Sequence, residues 1–165
     1  CDMAPYGRQW FSLQDRRPDA LLAGVGRVAP LLDAYLDELL HRHELDDRRL
    51  ALLGFSQGTM LALFVAPRRR RPPAAVLGYS GALIGPAELA RETRSRPPVM
   101  LIHGDADDIV PINAMFEAVQ ALQAAEIPVQ WILRPSLDHS IDPAGIEAGA
   151  RFLAMMLSDA EAKSG

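Results

Sequence analysis

Apolar residues recur along this chain with two different periods, and the alternation between them predicts its architecture. From Asp19, a candidate N-cap, the positions Leu21, Leu22, Val25, Val28, Leu32, Tyr35, Leu36, Leu39 and Leu40 fall at helical spacing. His41, Arg42 and His43 suit the last turn of that helix, where positive charge meets the helix dipole. Pro30 predicts a kink or a second start within it. Short apolar runs follow at 50–55, 74–80, 98–103 and 128–134, separated by helical patterns at 57–66, 111–125 and 143–157. Nearly all-apolar strands alternating with helices mean β-α repeats around a buried, mostly parallel sheet. Residues 1–18, punctuated by Pro5, Gly7 and Pro18, read as loop and 158–165 as a tail, which leaves an α/β core over 19–157 in one domain, 1–165.

Composition changes this picture little. A chain of 165 residues, 49% apolar, is one domain's worth and builds a sizeable core. A net charge of −4 gives no bulk attraction to nucleic acid or to an anionic membrane, so neither is an expected partner. No window holds eighteen consecutive apolar residues, so no stable membrane insertion is expected, and the expected location is the cytoplasm. Cys1 is the only cysteine, which excludes a disulfide within the chain and a cysteine-based metal site. The chain opens "CDMAPYGRQWF" without an initiator Met and in mid-loop, from which a missing N-terminal part is expected. A lipidated mature cysteine would open the same way, but no polar tether follows it here. Arg68 to Arg71, between Pro67 and Pro72, read as a solvated loop.

The chemistry starts at "LALLGFSQGTMLAL", residues 50–63, where an apolar strand runs into Gly-Phe-Ser-Gln-Gly and directly into a second apolar pattern. That fits G-x-S-x-G, the sharp strand-to-helix turn that lifts a serine out of the top of a sheet. Gly54 and Gly58 are expected to supply the missing side chains that a crowded turn needs, and Ser56 to take a strained conformation. The helix starting at Gln57 aims backbone N–H groups at a developing oxyanion. A serine hydroxyl is a poor nucleophile until a base takes its proton, so an acid and then a histidine should follow in chain order. Among four histidines, His41 and His43 precede the serine and read as exposed helix-end groups, and His103 ends a strand, where a structural hydrogen bond is expected. His139, in the loop "RPSLDHSID", remains as the base. For the acid, Asp105, Asp107, Asp108, Asp138 and Asp142 compete, and the loop after the 98–103 strand is the better source because it lies at the same edge of the sheet.

"GFSQGTM", "IHGDADDIVP" and "DHSID" together resemble the phospholipase/carboxylesterase family of α/β-hydrolases, which includes acyl-protein thioesterases. The resemblance implies an α/β-hydrolase fold whose N-terminal strands are missing. It places the acid of H-G-x-x-D-x-x-V-P on Asp107, the nucleophile on Ser56 and the base on His139. It also places Trp10, in "GRQWFSL", near the active-site mouth. Two departures stand out: Asp138 occupies the position where the family usually has Gly before the histidine, and no H-G-x-G motif for a second oxyanion donor lies upstream of residue 10. The implied activity is hydrolysis of a small-molecule carboxylic ester or thioester through an acyl-enzyme, with no metal or organic cofactor. Met60, Ile109 and Ile141 lie near the motifs as candidate pocket walls, with plain core as the competing reading. Two other functions compete: a prolyl-oligopeptidase-type serine peptidase, which needs a large additional domain, and a catalytically weak binding or structural module. If the strand beside 50–55 is absent, that strand becomes an apolar sheet edge, and a homodimer is one way to cover it.

Overall fold

Four of the predicted apolar runs pair in the computed structural model, which describes residues 2–4 and 7–162. They are β3 (Ala51–Phe55), β4 (Ala75–Tyr79), β5 (Val99–Gly104) and β6 (Val129–Arg134), all parallel and ordered β3-β4-β5-β6. Every residue of β4 and β5 is buried, as strands covered on both faces must be, whereas β3 alternates and β6 holds only half-buried and exposed residues. The register aligns Phe55, Tyr79, Ile102 and Ile132 in one row, so the loops after β3, β5 and β6 leave the sheet at the same edge.

Helices cover both faces. On one, α1 (Pro18–Arg42), α2 (Gln57–Val65) and α4 (Asn113–Ala124) bury Val25, Leu61, Met115 and Leu122 against Leu52, Val76, Val99 and Leu101. On the other, Phe152 of α5 (Pro143–Ala162) meets Leu77, Tyr79, Met100 and Ile102. The sheet residues of the two clusters alternate along each strand, as the two-residue period requires. α2 is apolar all round and buried from Thr59 to Val65, which suits a helix enclosed between the sheet and α1.

Several expectations need correction. α1 runs unbroken through Pro30, and its N-cap is Arg17 with Pro18 in the first turn, so Asp19 lies inside the helix. Tyr35 is exposed rather than on the buried stripe. The expected loop 1–18 contains a short antiparallel pair, β1 (Asp2–Ala4) and β2 (Gly7–Gln9), too brief for any period to show. α3 (Pro86–Glu92) escaped notice for the same reason; it starts from Gly85, whose φ of 68 suits glycine, and Pro86. The expected tail is helical as far as Ala162, because no Gly or Pro interrupts 150–162. Cys1, Pro5 and residues 163–165 lie outside the described residues.

The arginine run is only partly solvated. Arg69 is 5% exposed and paired with Asp33 and with Asp37 and Asp47, the latter two at 2.7 Å. Arg68 stacks on the Phe64 ring at 3.7 Å and pairs with Glu92. Three carboxylates from two distant segments turn the buried arginine into a tie between α1 and the start of β4's approach, which a local reading of charge does not reveal.

Candidate active site

β3 ends and α2 begins with no intervening loop, and Ser56 makes the reversal with φ 53 and ψ −115. That backbone is costly for a residue with a Cβ, and it is held by the Ser56 N–H donating to the Tyr79 carbonyl at 2.9 Å. A Cβ on Gly54 would lie 2.3 Å from backbone atoms of Gly58 and Thr59, so glycine is obligatory there. Gly58 differs from expectation: nothing lies within 4 Å of the position its Cβ would take. The crowding instead centres on Thr59. Its Oγ1 sits 2.8 Å from both the Gly54 and Tyr79 carbonyls, and Gly78 of β4 and Gly81 just beyond it close on the Thr59 side chain.

Gln57 has a second role that its position in the motif did not suggest. Its Oε1 accepts from the Trp10 N–H at 3.0 Å, and its Nε2 donates to the Phe11 carbonyl at 2.7 Å. Phe11 is fully buried against Gly24 of α1, so the aromatic segment is fixed from both sides. Trp10 thereby lies beside the elbow, in a cleft of about 710 Å³ with Arg8, Leu13, Leu53, Phe55, Ser56 and Gly58. Met60 lies in the core beneath α2 instead, because its side of the helix faces the packed interior. Ile109 and Ile141 are exposed on the loops after β5 and β6 and do not line that cleft.

Those two loops are bound to each other. The Asp105 N–H donates to the Arg134 carbonyl, the Ala106 N–H to the Leu137 carbonyl, and Asp105 Oδ1 accepts from the Ser136 N–H at 2.6 Å. A Cβ on Gly104 would sit 2.0 Å from the Leu137 oxygen, so this close approach requires glycine. The histidine loop is bracketed by Arg134 and Asp142, paired at 2.6 Å, while Asp142 Oδ1 also caps α5 through the Gly145 N–H. Asp138 is taken up by the Ser140 hydroxyl on its own loop, which leaves it off the histidine ring.

From these loops Asp107 and His139 meet, with His139 Nδ1 2.7 Å from Asp107 Oδ2. The Asp107 side chain is fully enclosed. Burial alone pushes its pKa up, but the hydrogen bonds from His139 and from the Val110 and Ile109 N–H groups outweigh that and hold it below the ordinary carboxylate value. An ionised carboxylate on Nδ1 fixes the tautomer whose Nε2 is free to accept a proton. The His139 ring rests on Phe55, 4.8 Å between centroids, which brings it to the residue next to Ser56. Among the described residues no hydrogen bond joins the Ser56 hydroxyl to the imidazole, and no cluster of side chains could hold a metal ion. No helix among them is long and apolar enough to cross a membrane.

The family model Phospholipase/Carboxylesterase matches residues 1–157. Esterase YpfH of Escherichia coli (strain K12) is 28% identical over 138 residues, 84% of this chain and 58% of that protein. Acyl-protein thioesterase 1 of Aspergillus fumigatus is 30% identical over 128 residues, 71% of this chain and 52% of its own. The chain spans about half the length of the curated relatives it matches. Among solved structures, esterase PE8 superposes with a TM-score of 0.87 at 36% identity, covering 92% of this chain and 72% of that one. SOBER1 of Arabidopsis thaliana (L63A), at 18% identity and a TM-score of 0.82 over 92% of this chain and 75% of its own, shares the fold. With an α/β-hydrolase sheet, a strained serine at its elbow and a family match along nearly its whole length, the chain belongs to the phospholipase/carboxylesterase family.

Proposed function

We propose that this chain carries the catalytic centre of a serine hydrolase that cleaves carboxylic esters or thioesters. The observation that carries the reading is the 2.7 Å contact of His139 with Asp107 beside the Ser56 elbow. Ser56 Oγ attacks the acyl carbon while its proton passes to His139 Nε2, and Asp107 holds the imidazole and stabilises its charged form. The Gln57 N–H, first in α2, donates to the oxyanion. His139 then returns the proton to the departing alcohol or thiol. A water, deprotonated by the same nitrogen, attacks the acyl-enzyme; as the acyl–oxygen bond breaks, His139 passes that proton to Ser56 Oγ and the acid is released. The bond between serine and base forms when substrate closes the site, as such contacts tighten in the bound complex. Trp10, Leu13, Leu53 and Phe55 offer the acyl chain an apolar wall. The cycle uses the Ser56, His139 and Asp107 side chains, the Gln57 backbone N–H and water.

The relatives named esterase and thioesterase support ester chemistry over the peptidase reading. The test is turnover of p-nitrophenyl butyrate together with labelling by a fluorophosphonate, which needs only the first half of the cycle. Ser56→Ala should remove both while the far-UV spectrum stays unchanged. Asp107→Asn should lower turnover by about 10⁴ through the wrong tautomer, with Asp108→Asn mild. Turnover that survives Ser56→Ala in protein free of other esterases rejects the proposal.

A further inference from the structure

Of the four histidines, His103 is the buried one, 2% exposed at the end of β5. Its Nε2 lies 2.8 Å from the Val110 carbonyl oxygen and 3.3 Å from Asp107 Oδ2. Both neighbours are acceptors, so Nε2 carries a proton; its N–H donates to the Val110 carbonyl, and the Asp107 carboxylate oxygen lies beside that bond at ion-pair distance. The two oxygens of Asp107 are thereby divided. Oδ1 accepts from the Ile109 and Val110 N–H groups, and Oδ2 faces two imidazoles, His139 at 2.7 Å and His103 at 3.3 Å. Enclosed charges are poorly screened, so a donor removed from Oδ2 changes what the other imidazole feels.

We infer that His103 is a positioning residue: its Nε2–H closes the 104–110 loop onto β5 through the Val110 carbonyl and places the positive end of that N–H dipole beside Oδ2 of Asp107, which sets how strongly the carboxylate holds the His139 ring. The inference rests on the triad proposed above for its consequence in catalysis, and on distances alone for its effect on Asp107. Without the His103 donor, the charge on Oδ2 turns to His139 undivided and favours the imidazolium. Other charged groups near His139 are constant in this comparison. Its own loop carries Asp138, bonded to Ser140, and the flanking Arg134–Asp142 pair. The acid loop adds Asp105, bonded to the Ser136 N–H, and exposed Asp108, while β3 and the elbow present uncharged Phe55 and Ser56.

The experiment is an NMR titration of the His139 ring in the wild-type chain, in His103→Leu and in His103→Gln, whose carboxamide keeps an N–H donor. His103→Leu should move the His139 midpoint up by about half a pH unit or more, and His103→Gln should leave it within about 0.2. The acid limb of kcat/KM should move with it, and kcat in His103→Leu should fall about tenfold. Should His103→Leu fail to fold, His103→Asn, whose shorter amide does not reach Oδ2, takes its place with the same expected shift. An unmoved midpoint in the variant lacking the donor overturns the inference, and so does a His103→Gln protein that titrates like that variant. A midpoint that moves in a protein unable to turn over esters rejects the triad proposal and leaves the role of His103 standing.

Discussion

Gly54 and Gly58 occupy equivalent places in a five-residue motif yet face different surroundings. A Cβ on Gly54 meets backbone at 2.3 Å, which no side-chain movement relieves, whereas Gly58 looks into open space within α2. Gly54→Ala should therefore unfold the chain or cost about 3 kcal/mol or more in urea denaturation. Gly58→Ala should stabilise it by up to about 1 kcal/mol, the helix propensity difference. Asp107 carries a second consequence at this scale. Its folded carboxyl releases its proton more readily than the unfolded one, so its contribution to stability is present above the unfolded pKa of about 3.9 and is lost as pH falls through its lower folded value. The stability gap between wild type and Asp107→Asn should thus narrow between pH 7 and pH 3. A gap that stays constant over that range contradicts the linkage.

Among the elements, β6 and α5 do more than cover the sheet, because the seven residues between Arg134 and Asp142 carry His139. The ion pair closes that loop, and the same carboxylate caps α5. The Arg134 guanidinium is the main reason the Asp142 carboxyl is held low and ionised at neutral pH. Asp142→Ala removes both contacts at once. Its Tm should fall by a few degrees, the usual effect of a lost cap in a domain this size. Its ester turnover should fall more than that loss of stability explains at a temperature where both proteins are folded. Equal turnover would mean that the 104–107 loop alone holds His139. Gln57 ties the elbow to Trp10 and Phe11 in a comparable way, linking the first turn of α2 to a segment more than forty residues earlier.

For the whole molecule, the decisive feature is the edge at β3, which among the described residues pairs on one side only. Leu53 is 61% exposed and Phe55 37%, on the strand that runs into the Ser56 elbow. An unpaired, apolar, uncharged edge invites a further strand, from another copy or from another segment. Light scattering across a concentration series should show self-association of the chain, and Leu53→Lys should shift it toward monomer. A wild-type chain that stays monomeric at high concentration would mean that the edge is protected by means other than pairing.

How much of this was legible depends on how far each feature reaches. The buried parallel strands and the main helices follow from hydrophobic period, since each position's burial is set by the face it occupies on its own element. Ser56 was readable because the junction of strand and helix is local, and His139 because chain order sets aside His41 and His43 and the place of His103 at the end of an apolar strand reads as structural. Asp107 could be picked from its neighbours only through the resemblance to a known family. Its hydrogen bond to His139 joins loops 32 residues apart. What the sequence determined by itself is therefore the set of elements and the chemical groups at their junctions. Only the tertiary structure decided that Met60 is core, that Arg69 is gripped by three aspartates, and that Gln57 ties down Trp10. Those contacts join segments whose meeting depends on how every layer packs, and no window of sequence holds both partners and the path between them.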